Sequence, residues 1–88
     1  EAAEWLIKKK VKVVGVDHLG VDHPKYWDSG DNTWPVHRGL LSKNIPMLQP
    51  FGGQIDEVTG KRCMIVCAPV NYVGGDGFPV RVLAMVEE

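Results

Sequence analysis

Chemistry in this 88-residue chain has few candidate carriers, and two of them share one stretch, "VHRGLLSKNIPMLQ", which runs from Val36 to Gln49. His37 opens an apparently helical run. There the partial positive charge of a helix start opposes protonation and favours neutral imidazole, the form needed by a general base or a metal ligand. Gln49 closes an apparently extended run just before Pro50. An amide oxygen accepts hydrogen bonds or ligates a hard cation weakly, but it is no base. The ordinary alternatives are an exposed helix-start histidine and a satisfied loop amide. A second group, "DHLGVDH", gathers Asp17, His18, Asp22 and His23. These are metal-site residue types, yet their spacing matches no strong metal motif, and in a polar loop they also serve as turn formers.

Other chemistries find little support. "GGQ" and "GGDG" lack the strand-to-helix context of a phosphate-binding loop. Neither Ser29 nor Ser42 has the setting of an activated nucleophile. Cys63 and Cys67 lie four residues apart in "KRCMIVCAPV". Along a strand that is about 13 Å, too far for a disulfide, and both side chains fall on one face. They are expected as small buried hydrophobes in a reducing compartment.

The elements that must position these residues are short. "EAAEWLIKKK" predicts a helix from the first residues, with no N-cap signal and no initiator methionine, as though cut into. "VKVVGVD" predicts a largely buried strand from Val11 to Asp17, reached through Lys10 without a glycine. From His18 to Pro35 the pattern dissolves into a loop of about eighteen residues, long enough to expect that it lines a site or meets a partner. It follows a strand directly, where open α/β sheets commonly bind ligands. "PVHRGLLSKN" predicts a short helix, with Pro35 in its first turn and Asn44 in the left-handed end position. "IPMLQ" predicts a short strand confined by Pro46 to an edge, a start or a bulge. One helical turn is expected at Ile55 to Val58. The strands "RCMIVCAPV" and "PVRVLAMVE" follow, joined through "GGDG" by a hairpin-type turn or a longer loop.

Size and composition allow one domain at most. The hydrophobic fraction is 44% and the charged fraction 24%, with ten basic against eleven acidic residues. That balance gives no basic surface for nucleic acid and no cationic amphipathic helix for a membrane. No run is long enough to span a bilayer and no signal peptide is evident, so a soluble cytoplasmic chain is expected. The strands beginning near Val11, Cys63 and Val80 are almost continuously apolar, as in a sheet covered on both faces. Two short helices cannot cover both, so another chain, or a missing part of the same one, is expected to supply the second layer.

Three stretches, "VKVVGVDHLGVDHP", "PVHRGLLSKNIPMLQ" and "CAPVNYVGGDGFPVRVLAMVE", resemble in order and spacing the C-terminal part of the metal-dependent cyclase-like hydrolases, which include kynurenine formamidase and isatin hydrolase. The resemblance covers essentially the whole chain and less than half of a normal family member. It implies an α/β fold of the swivelling β/β/α type with a mixed sheet and short helices, incomplete without an N-terminal half or partner chain.

The family's principal metal ligands come from an N-terminal motif, H-x-G-T-H-x-D-x-P-x-H, and this chain has no such motif. Its second cluster, a histidine followed twelve residues later by an acidic or amide residue, corresponds to His37 and Gln49. Formamidase-like members carry glutamate at the second place and bind a second metal there. Isatin hydrolase-like members carry glutamine beside one manganese ion, which the present chain resembles more closely. The resemblance implies hydrolysis of an amide or lactam C–N bond with a manganese or zinc ion held mainly by residues of another chain or fragment. His37 would act as base and then acid, and Gln49 would orient water or complete the metal shell. Asp17, His18, Asp22, Tyr26, Trp27 and Trp34 are the substrate-pocket candidates, the three aromatic residues as a wall for a flat small molecule. The family also implies an oligomer. The alternatives are a non-catalytic structural or interaction subunit, which suits the glutamine and the missing ligands, and a free-standing ligand-binding module.

Overall fold

The computed structural model describes residues 1–27, 30 and 33–87. Ser29 therefore lies outside the described residues, as do parts of the loop expected between His18 and Pro35. The chain divides into two units, 1–52 and 53–88.

The first unit opens with helix α1, Ala2–Lys8, where strong helix formers surround a small apolar set. It ends at Lys9, and Lys10 turns the chain with a φ of 56°. Strand β1 covers only Val14–Gly15, far less than the apolar run from Val11 predicts. It pairs in parallel with β2, Met47–Leu48, in the register Val14↔Met47 and Gly15↔Leu48. Between them lie a 3-10 turn at Pro24–Tyr26 and helix α2, Pro35–Leu41. Asn44 takes the expected left-handed conformation, φ 56°, three residues beyond the helix.

The core of this unit is small. Leu40 is fully buried and Ile45 nearly so. Burial of one leucine contributes about 1.5–3 kcal/mol. The helices α1 and α2 pack together at a close approach, since a Cβ at Gly39 would lie 3.9 Å from the Ala3 Cβ. Phe51 is tied back to the residue just after β1, its N–H donating to the Val16 carbonyl at 3.0 Å. Its ring fills the space above Gly15, where a Cβ would come within 2.5 Å of Phe51 Cε1. Gly15→Ala is therefore expected to push the ring aside and cost about 1–3 kcal/mol, read from the shift in urea midpoint. An unchanged midpoint would show that the ring swings away freely.

The second unit holds one helical turn, α3 (Ile55–Val58), as expected, and two strands, β3 (Met64–Cys67) and β4 (Val82–Met85). They run antiparallel with Met64↔Met85 and Val66↔Leu83 among the paired residues. The chain returns through residues 68–81, a long loop with Gly74 at a φ of 76°, and not through a tight hairpin turn.

Two expectations are corrected here. The strands form two separate two-stranded ladders, one parallel and one antiparallel, where one mixed sheet was expected. The strands expected to be buried expose their apolar side chains: Met64, Val66, Leu83 and Met85, which alternation places on one face of the ladder, are 41–64% exposed. Cys63 and Cys67 are free and half-buried, and Cys63 lies just before β3. Among the described residues no helix is long and apolar enough to cross a membrane.

Candidate active site

Parallel pairing brings the C-terminal ends of β1 and β2 to the same edge, so the segment after β1 and Gln49 after β2 emerge side by side. That edge is where parallel α/β arrangements place ligands. The N–H of Val21 donates to Gln49 Oε1 at 3.2 Å, which ties the two exits together.

Helix α2 begins awkwardly. Its N-cap position is Trp34, whose side chain offers no cap, and Pro35 follows as the first helical residue. The next N–H groups, Val36 and His37, therefore need an acceptor from elsewhere. Asp22 supplies it from the loop after β1. Its Oδ1 accepts from Val36 N–H at 2.8 Å and its Oδ2 from His37 N–H at 3.0 Å. The same Oδ2 lies 2.6 Å from His37 Nδ1. Asp22 is the buried polar residue of the described chain, 2% exposed. Burial alone would raise its pKa. The hydrogen bonds from the backbone N–H groups of Val36 and His37 and from the His37 ring outweigh burial and hold the carboxyl below its ordinary value.

A carboxyl with a depressed folded pKa stabilises the fold above its unfolded pKa, and that contribution disappears as pH falls through the folded value. The first unit is therefore expected to lose stability in acid, below about pH 4. Urea midpoints of the wild type and Asp22→Asn, measured from pH 7 to pH 2, check this: the gap between them should close in acid. A constant gap would contradict the ionised role of Asp22.

On the far side of the imidazole, His37 Nε2 lies 2.7 Å from Gln49 Nε2. The Trp34 ring stands edge-on to the imidazole, centroids 5.6 Å apart and planes at 83°. Trp34 holds this place with φ 37° and ψ 57°, a left-handed backbone rare for a bulky residue and costing about 1–3 kcal/mol. Asp22, His37 and Gln49 thus form one continuous chain of contacts from the buried helix start to the exit of β2, with Trp34 against its middle.

The other candidates lie outside this chain of contacts. Asp17 and His18 are exposed, while Tyr26 and Trp27 are half-buried. Lys25 Nζ sits 4.8 Å from the Tyr26 ring centroid, and the Trp27 ring lies close to Gly20. His23 caps the 3-10 turn, its Nδ1 accepting from Lys25 N–H at 3.2 Å. Asp22, expected to line a substrate pocket, turns its carboxylate instead onto the start of α2 and the imidazole. The signal for this was present in the sequence as a deficit: "WPVH" starts a helix without a capping side chain directly before its proline.

The metal expected from the family resemblance does not fit the donors of this chain taken alone. Among the described residues no group of three His, Cys, Asp or Glu side chains converges as a cation site. The cluster that does converge has both ring nitrogens of its one histidine engaged, one by a carboxylate and one by an amide. What it can do chemically is hold an imidazole in one orientation and exchange a proton at Nε2 once the Gln49 amide gives way.

No family model matches the chain. No solved structure matches it. A curated relative, "Cyclase-like protein 2" of Oryza sativa subsp. japonica, is 32% identical over 85 residues, covering 94% of this chain. The chain spans only 28% of the length of that relative. This likeness supports the cyclase-like family for the chain, and no subtype within it.

Proposed function

We propose that the chain forms part of a metal-dependent hydrolase that cleaves an amide or lactam C–N bond, as in isatin hydrolase-like or arylformamidase-like enzymes, and contributes the histidine that moves the proton. The observation that carries this reading is the Asp22–His37–Gln49 array, a buried carboxylate gripping an imidazole whose other nitrogen faces a polar side chain that can be displaced. The likeness to a cyclase-like protein supports the family, and the reaction class is what the resemblance to that family implies. A manganese or zinc ion in such an enzyme would be held by residues outside this chain, on a second chain or fragment bearing the histidine-rich motif. His37 would take a proton from water at Nε2 and return it to the departing nitrogen. Gln49, released from His37, would orient that water or the substrate amide through hydrogen bonds. Trp34 would exclude water from one side of the ring.

The test is to combine the chain with one that carries the histidine-rich motif and assay manganese- or zinc-dependent hydrolysis of aryl formamides and isatin. His37→Ala is expected to lower kcat by about 10²–10⁴-fold in an active assembly. Full activity of that variant would remove His37 from the mechanism.

One observation favours a second reading, a non-catalytic interaction subunit: the β3–β4 ladder presents Met64, Val66, Leu83 and Met85 to solvent. Metal analysis of the isolated assembly by mass spectrometry separates the two readings. The hydrolase predicts a stoichiometric transition metal and the interaction subunit predicts none.

A further inference from the structure

We propose that Asp22 is a positioning residue that fixes His37 as the Nδ1–H tautomer, so that the Nε2 lone pair is the one presented beyond the C-terminal ends of β1 and β2. Donors and acceptors around the ring set its tautomer. Asp22 has two carboxylate oxygens and no proton to give. The Nδ1 atom 2.6 Å from Oδ2 must then carry the hydrogen. A neutral ring protonated at Nδ1 has its lone pair on Nε2.

The other end of the ring agrees. Gln49 has two possible amide orientations, and a neighbour decides between them. Val21 N–H, 3.2 Å away, needs an acceptor, so Oε1 faces Val21 and the NH₂ faces His37. That NH₂ donates to Nε2, which must therefore be the unprotonated nitrogen. The flipped amide would set its NH₂ against the Val21 N–H, donor against donor. Two independent neighbours thus demand one tautomer.

Their roles are unequal. Asp22 is held by two backbone N–H groups of α2 as well as by the ring, and its side chain is wholly buried while that of His37 is 25% exposed. The carboxylate belongs to the helix start and cannot leave without uncapping it. Gln49 is held at its far end by one N–H, so it is the side chain that can swing away and free Nε2. Asp22 sets the tautomer and Gln49 covers it.

The consequence for proton transfer rests on the hydrolase reading, but the tautomer does not, and the experiment separates them. The ¹⁵N-labelled full chain, without metal or substrate, is examined by long-range ¹H–¹⁵N correlation at neutral pH. His37 is expected to show a pyrrole-type Nδ1 and a pyridine-type Nε2. Gln49→Ala is expected to keep that pattern, because Asp22 remains. Asp22→Ala combined with Gln49→Ala is expected to release the ring to a mixture in which Nε2–H appears.

An Nε2–H or doubly protonated ring in the wild type overturns the proposal. So does loss of the Nδ1–H pattern in Gln49→Ala with Asp22 intact, and that single variant decides the matter if the double variant does not fold. Activity is read separately. In an assembly that hydrolyses an amide, Asp22→Ala is expected to lower kcat at least a hundredfold with KM changed little. An assembly with no hydrolysis at all sinks the hydrolase reading and leaves the tautomer standing. A folded Asp22→Ala assembly with wild-type kcat overturns the positioning role.

Discussion

Asp22→Ala is expected to destabilise the first unit by about 2–4 kcal/mol, combining a lost helix cap with lost hydrogen bonds to a buried charge. The carboxylate accepts from Val36 N–H, His37 N–H and the His37 ring at once. Alanine leaves both backbone donors without their acceptor at the start of a helix that has no cap of its own. The loss has a local signature. Amide hydrogen exchange at Val36 and His37 should accelerate before exchange elsewhere in the unit, because those two N–H groups lose their partner directly. Asp17→Ala is the matched control, an exposed carboxylate from the same loop, and is expected within about 0.5 kcal/mol of wild type. Equal effects at the two positions would reduce Asp22 to one more loop charge.

Leu40→Ala is expected to cost about 2–5 kcal/mol, the range for removing a fully buried leucine from a core that cannot collapse around the gap. Leu40 is 0% exposed, and the only other buried apolar residue among those described is Ile45. The backbone also turns on this residue, its carbonyl accepting from Lys43 N–H at 3.0 Å and Ile45 N–H at 3.1 Å. The side chain lies one turn after His37 on α2, so a loosened Leu40 loosens the helix that aims the imidazole. Urea denaturation followed by tryptophan fluorescence measures the cost. Leu41→Ala, its 52%-exposed neighbour, should fall far below it. A comparable cost at Leu41 would mean that the core is centred elsewhere.

Local chemistry was the legible part of this chain. Pro35 marks the first helical residue of α2 because its fixed φ suits that place and its missing N–H costs nothing there. Asn44 takes a left-handed conformation that few other residues tolerate. The single helical turn at Ile55–Val58 and a short strand beginning just after Pro46 follow from the same short-range rules. The length of β1 did not follow. A run of valines has strand propensity over its whole length, but pairing needs a neighbour, and β2 offers only Met47 and Leu48. Burial of β3 and β4 did not follow either, since apolar composition states what a strand would bury and not what is present to bury it.

The site divides along the same line. Residue type and local position make His37, at a helix start, and Gln49, at a strand end, two candidates among several, and the family resemblance is what sets them apart. Asp22 is one candidate among the loop residues, but its task depends on a separation of 15 residues closed in space. Only the parallel β1–β2 pairing, with α2 between the strands, brings the loop after β1 onto the helix start and the Val21 N–H onto Gln49. Which side chains can hold or pass a proton, and which turns punctuate the chain, depends on each residue and its immediate neighbours and is readable before folding. Which of them meet, and that Asp22 reaches the helix start and the imidazole, depends on the folded backbone, because hydrogen bonds between residues 12 to 28 positions apart exist only once the backbone has folded.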